Sequence, residues 1–182
     1  TSRDGVMYVF HGPELEKTTD GCGLIFERDA AELDQLDAGR GFGPQFAGER
    51  IPRLDDFLRW IKGQAKVFLD VKLADLEELV PLIYNLGLEN DCFFWFELDQ
   101  ATKVFRELAP DLALKINASS AAEVETAVAQ YQADIIETGY PIEFGVLATC
   151  RKHNLKLMVI YGGDDVSPFV EIIRQHPDMV NV

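Results

Sequence analysis

From Lys66 to the end of the chain, short apolar segments alternate with segments of helical period, and this alternation restricts the fold to a small set. The segments "KVFLDVK" (66–72), "CFFWFEL" (92–98), "LALKINA" (112–118), "ADIIETG" (133–139), "LKLMVIYGG" (155–163) and "DMVNV" (178–182) are rich in β-branched and aromatic residues. They read as buried strands. Between them, "DQATKVFREL" offers Asp99 as an N-cap and sets Val104, Phe105 and Leu108 on one helical face. "SAAEVETAVAQY" carries a capping box, Ser120 followed three residues later by Glu123. "SPFVEIIRQH" places Ser167 at an N-cap with Pro168 at the first helical position. Pro81, inside "LEELVPLIYNLG", predicts a kink or a broken helix, because proline removes an amide donor and crowds the preceding turn.

Such alternation means parallel strands with helices outside, as an open doubly wound sheet or a closed barrel. Six strands are expected where a (β/α)8 barrel needs eight. No Gly-x-Gly-x-x-Gly follows an early strand, so the dinucleotide-binding form of the open sheet loses support. The region before Lys66 is different. An Asp-Gly turn leads into a predicted strand, Val6 to Phe10, that runs into His11. A polar loop, a short helix near "RDAAELDQL" and a Gly-rich loop over 37–52 follow, then an amphipathic helix with Leu54, Phe57, Leu58 and Ile61 at helical spacing. The expectation is one barrel domain over 1–182, with residues of about 12–52 forming an inserted lobe.

Charge and patterning exclude several partners. A net charge of -14 opposes binding to nucleic acid, whose phosphates need a basic surface. The apolar runs break within about eight residues, so no membrane span is expected. Three cysteines (Cys22, Cys92, Cys150) lack metal-ligand spacing and suit a reducing compartment, with a cytoplasmic location as the expectation.

Asp70 and Lys72 are the sharpest chemical feature. Two apart in a strand, they point the same way, at the strand end where parallel α/β folds place their active sites. Val67, Leu69, Val71 and Leu73 form the opposite, core face. A carboxylate and an ammonium there suit a divalent cation and a phosphate; a structural ion pair closing the strand is the other reading. His11 suits a general acid or base, or polar surface. Glu97, Lys115 with Asn117, Glu137 and Tyr161 also fall late in strands, where they ring a mouth or return to solvent. Trp95 and Phe96 read as core or as pocket wall. The glycines at 39, 41 and 43 lack a following P-loop lysine and read as turn residues. His153 and His176 read as helix caps or surface.

Taken together, these stretches resemble the glycerophosphodiester phosphodiesterase family. The opening turn and strand, followed by His11-Gly12-Pro13-Glu14-Leu15-Glu16-Lys17-Thr18-Thr19, are similar to the family's His-Asp-x-x-Leu-x-Arg-Thr-Thr segment. "GCGLIFE", "AELDQLDAG" and "FAGERIPRLDDFL" look like its insertion lobe, and "FLDVK" like its Glu-x-Lys strand, with Asp70 in place of glutamate. "WFELDQATKVFRELAP" is similar to the next strand–helix unit, with Trp95 in place of serine. The resemblance implies a (β/α)8 TIM barrel of the phospholipase-C-like type. It also implies hydrolysis of a small-molecule glycerophosphodiester to sn-glycerol 3-phosphate and an alcohol, with a divalent metal, Mg2+ or Ca2+. Carried over, His11 is the catalytic acid/base, Asp70 a metal ligand and Lys72 the phosphate-binding lysine.

The chain also departs from the family pattern. The family's His-Arg-Gly strand and Glu-x-Asp strand, with their partner histidine, arginine and two carboxylates, have no counterpart among these residues, so the chain is expected to begin after two barrel strands. Gly12 replaces the acidic residue beside the histidine, and "IYGGDD" replaces the usual Trp/Tyr-Thr-Val-Asn. A catalytically incomplete relative that acts as a binding or interaction module is therefore the second reading. The 182 residues alone are expected not to turn over substrate, and open sheet edges favour self-association. A third reading, an unrelated lyase or aldolase barrel, would use Lys72 or Lys115 as a Schiff base.

Overall fold

The computed structural model describes residues 1–182, and the chain divides into two compact units. One comprises Thr1–Lys66 with Val71–Asp91, the other Val67–Asp70 with Cys92–Val182. No helix is long and apolar enough to cross a membrane.

The first unit holds little regular structure before its helices. Its core gathers Tyr8, Leu15, Ile25, Ala30, Leu33 and Ile51, with Val6, Phe10 and Leu36 packed against them. The strand expected over Val6–Phe10 is reduced to an isolated antiparallel bridge between Tyr8 and Arg53. Val9 N–H donates to the Pro52 carbonyl at 2.9 Å, and Leu54 N–H to the Met7 carbonyl at 2.9 Å. Pro52 has no amide to extend this ladder, which is why two apolar, β-prone segments meet without forming a sheet. Helix α1 (Ala30–Leu33) starts from a capping box between Asp29 and Glu32. Helix α2 (Leu54–Ile61) buries Leu54 and Leu58 and packs on α3 (Leu76–Leu86).

Helix α3 runs unbroken through Pro81. Pro81 is exposed, so water can satisfy the carbonyl one turn earlier that loses its donor. Asp75 caps the start by accepting from Glu77 N–H at 2.9 Å, and Gly87 closes the end at φ 63°, the left-handed conformation favoured at C′.

The second unit is a parallel sheet of six strands in the order β1 to β6: β1 (Val67–Val71), β2 (Cys92–Phe96), β3 (Ala113–Asn117), β4 (Ile135–Gly139), β5 (Lys156–Ile160) and β6 (Met179–Asn181). Each strand sits beside its sequence neighbour. A doubly wound sheet reverses its order at a switch point, so this monotonic order is the winding of a (β/α)8 barrel, here with six strands. The connecting helices in this unit are α4 (Asp99–Leu108), α5 (Ala121–Tyr131), α6 (Phe144–Lys152) and α7 (Val166–Arg174). Helix α4 includes Asp99 rather than being capped by it, and α7 begins at Val166 with Asp165 as the cap, two residues ahead of the expected Ser167. Ser120 caps α5 as expected, accepting from Glu123 N–H at 3.3 Å.

Alternate residues of each strand face the helices. Ile136, Leu157 and Val159 join Val124, Ala127, Val146, Cys150 and Ile172 in one core, and Phe94 and Phe96 pack on Phe105 of α4 at 4.7 and 4.8 Å between ring centroids. The alternate residues of opposite parity therefore occupy the other face of the sheet.

Candidate active site

That other face carries a buried polar cluster among its apolar residues. Lys115 of β3 and Glu137 of β4 are buried together as an ion pair, with side chains only 3% and 7% exposed. Lys115 Nζ also donates to Asn117 Oδ1 at 2.8 Å, and Asn181 of β6 donates from Nδ2 to Glu137 Oε1 at 2.9 Å. The Lys115 ammonium lies 5.1 Å from the Phe68 ring centroid and 4.9 Å from that of Trp95. Phe68 itself stacks on Phe93 at 4.8 Å.

Two of these contacts skip a strand: Lys115 of β3 reaches Phe68 of β1, and Asn181 of β6 reaches Glu137 of β4. Flat parallel strands stand about 4.8 Å apart, so side chains two strands away meet only where the sheet curls toward them. The cluster therefore lines the concave face, where alternate strands of a barrel build each interior layer.

Asp70 shares this face, because it lies two residues from Phe68 in β1. It is exposed at the C-terminal end of the strand, and Lys72 is exposed in the bend just beyond it. On the opposite parity, Val67 is buried and Leu69 and Val71 are half-buried, whereas Leu73 is 54% exposed because the strand has already ended.

His11 is exposed in the bend that follows the Tyr8–Arg53 bridge. The segment leading to it is anchored by Tyr8, whose hydroxyl donates to Asp34 Oδ1 at 2.8 Å, while Arg53 binds the same carboxylate. The Arg53 guanidinium holds the Asp34 carboxyl below its usual range, and burial, reinforced by Asp34, pushes the Tyr8 hydroxyl up to about 12. Gly12, beside His11, takes φ +83°, a conformation that favours glycine over the acidic residue of the family motif.

Several other expected residues serve the scaffold. The glycine loop is organised by Asp37, whose carboxylate accepts from the amides of Gly39, Arg40 and Gly48, each at 2.9 Å. Those bonds, led by that from Gly48, hold its carboxyl below its usual range. Tyr161 donates to the Asp165 carbonyl at 2.9 Å, tethering the start of α7. His153 lies 2.9 Å from Glu125, at the end of α6. Glu97 is exposed just past β2. Lys115, with Nζ donating to two oxygens and the residue only 2% exposed, is closed to a carbonyl substrate.

Of the cluster, Lys115, Asn117 and Glu137 stand out in the sequence as polar residues late in strands. Asn181 does not, because "DMVNV" is too short to show which of its residues face inward. No group of three or more His, Cys, Asp or Glu side chains in the chain could hold a metal ion. Mg2+ takes six oxygen ligands and Ca2+ six to eight, so Asp70 could supply one carboxylate to such an ion, and the rest of its shell would have to come from water, substrate oxygens or other groups.

Residues 1–80 match the glycerophosphoryl diester phosphodiesterase family. The chain is 43% identical over 80 residues to a glycerophosphodiester phosphodiesterase of Caldanaerobacter subterraneus subsp. tengcongensis (44% of this chain, 32% of that protein). It is 34% identical over 117 residues to YhdW of Bacillus subtilis (strain 168), covering 61% of this chain and 48% of that protein. The aligned part thus spans about half or less of these curated relatives. Among solved structures, a glycerophosphodiester phosphodiesterase from Agrobacterium tumefaciens str. C58 superposes with a TM-score of 0.92 at 32% identity, covering 99% of this chain and 79% of that one. A phosphodiesterase from Oleispira antarctica, solved with the product sn-glycerol-3-phosphate, shares the fold at a TM-score of 0.76 and 24% identity, covering 98% of this chain and 76% of that one.

Proposed function

Because the chain belongs to the glycerophosphoryl diester phosphodiesterase family, we propose that it supplies the barrel and part of the active site for hydrolysing glycerophosphodiesters to sn-glycerol 3-phosphate and an alcohol. One observation carries the proposal: Asp70, in the "FLDVK" motif, opens on the concave face at the C-terminal end of β1, where barrel enzymes act.

In this reading a water oxygen adds to phosphorus as the bond to the alcohol oxygen breaks, and that oxygen must gain a proton. His11 gives the proton to the leaving alcohol oxygen or takes one from the attacking water, roles suited to an imidazole near neutral pH. Lys72 offsets charge on the phosphate oxygens. Asp70 contributes one carboxylate toward a divalent cation, Mg2+ or Ca2+, which would neutralise the diester when bound. No group of three or more His, Cys, Asp or Glu side chains completes the site, so water, substrate oxygens or other groups would supply the remaining ligands. The three free cysteines suit a reducing, cytoplasmic setting. The outer edges of β1 and β6 offer a route to self-association.

The absence of a three-residue metal group favours a second reading, a relative that binds the ester without cleaving it. Release of sn-glycerol 3-phosphate from glycerophosphocholine, with and without chelator, separates the two. Chelator-sensitive release that falls by about 100-fold or more in His11→Ala supports hydrolysis with His11 in the proton-transfer role. Ester binding with no turnover under any metal supports the binding module. Metal-dependent turnover by residues 1–182 alone would overturn the requirement for further ligands.

A further inference from the structure

We propose that Asn117 and Asn181, oriented by the Lys115–Glu137 pair, form a subsite for a neutral polyol head group and disfavour cationic head groups such as choline. The inference rests on the phosphodiester reading above and specifies which alcohol the ester carries.

Hydrogen-bond chemistry fixes the orientation of both amides. The Lys115 ammonium has donors only, so the Asn117 atom facing it at 2.8 Å is the carbonyl oxygen. The Asn117 NH2 group then points away from the ion pair, at an exposed strand end. The Glu137 carboxylate is an acceptor, so the Asn181 atom facing it at 2.9 Å is the amide nitrogen. The Asn181 carbonyl oxygen is thereby turned away from the carboxylate. One strand end offers a donor and the other an acceptor, held by a buried pair with no net charge. A hydroxyl both donates and accepts, so a group bearing several hydroxyls matches both amides, whereas a quaternary ammonium can satisfy neither.

The aromatic faces strengthen the discrimination. Phe68 and Trp95 lie where an aromatic cage for a cation would form, but Lys115 already occupies their faces, at 5.1 and 4.9 Å. With those faces covered by the buried Lys115, no open π face is left to receive a choline group.

The test is titration of the protein with glycerophosphoinositol and with glycerophosphocholine, following side-chain amide resonances of Asn117 and Asn181 by NMR, which needs neither metal nor turnover. Glycerophosphoinositol is expected to shift both amides and to bind about tenfold tighter or more, a difference of one or two hydrogen bonds. Asn117→Ala, at an exposed position, should bring the two affinities within about threefold of each other. Equal binding of both esters, or tighter binding of the choline ester, would overturn this inference alone. Failure of both esters to bind would overturn it together with the phosphodiester reading.

Discussion

Arg106 holds α4, β3 and the end of α5 together, and replacing it should cost more than any surface charge. Its guanidinium is nearly buried and donates to the carbonyls of Tyr131 (2.9 Å), Pro110 (2.8 Å), Leu112 (3.1 Å) and Gln132 (3.2 Å), and to the Asp134 carboxylate (2.9 Å). In Arg106→Met the apolar stem is kept and these five bonds are lost, with a long sixth (3.5 Å) to the Ala109 carbonyl, which Leu112 N–H also serves. Pro110, Gln132 and Asp134 are exposed, so water can replace the donor there at little cost. Leu112 is buried and Tyr131 half-buried. An acceptor left unpaired in such a place costs about 1–3 kcal/mol. Two such carbonyls, with a small contribution from the Asp134 pair, give about 3–4 kcal/mol. At about 2–4 °C per kcal/mol for a chain of this size, Tm should fall by about 6–16 °C. Urea unfolding followed by circular dichroism measures this, with an unchanged slope expected. Arg106→Lys, which keeps the charge but loses the fork, should fall between the two. A loss below about 1 kcal/mol for Arg106→Met would refute the reasoning, since the carbonyls would then be satisfied without the guanidinium.

Two further outcomes follow from the geometry. Burial raises the Tyr8 hydroxyl to about 12, so the stability it lends is full below about pH 10 and is lost as pH rises toward 12; Asp34 is depressed by Arg53, so its contribution is present above the usual aspartate range and is lost as pH falls through its lowered value. Urea midpoints across pH should show both limbs, with Tyr8→Phe removing the alkaline one, and a midpoint insensitive to pH in both ranges would contradict the cluster's role. Cys22 is exposed whereas Cys92 and Cys150 are buried, with burial pushing the Cys150 thiol up to about 11. A thiol reagent at pH 8 should therefore modify one thiol promptly and the other two only on unfolding, and prompt reaction of two or three would show that the sheet–helix core around Cys150 is open.

The parallel α/β class and the six strands were legible in the sequence, because apolar runs bounded by capping residues report local structure directly; the barrel came from the family resemblance, since strand order is not a local property. Ser120 with Glu123 marked the start of α5 at its true residue, and "FLDVK" marked Asp70 as a residue at the end of a strand. The strand at Val6–Phe10 was over-read: its apolar pattern was real, but strand formation needed a donor ladder that Pro52 interrupts. Pro81, where a kink or a break is expected, does not break the helix, since the penalty for a proline depends on whether solvent reaches the orphaned carbonyl, and exposure is not a local property.

Sequence periodicity alone placed Lys115, Asn117 and Glu137 near strand ends. Only the tertiary structure joined them to Asn181, Phe68 and Trp95 as one cluster. Those partners are separated by up to 113 residues, and they meet because curvature brings strands β1, β3, β4 and β6 together across the concave face. A sequence determines which side of each strand is apolar, since that depends on a two-residue period. Which polar side chains share a hydrogen bond depends on sheet curl and register, and these are set by the packing of the whole barrel layer.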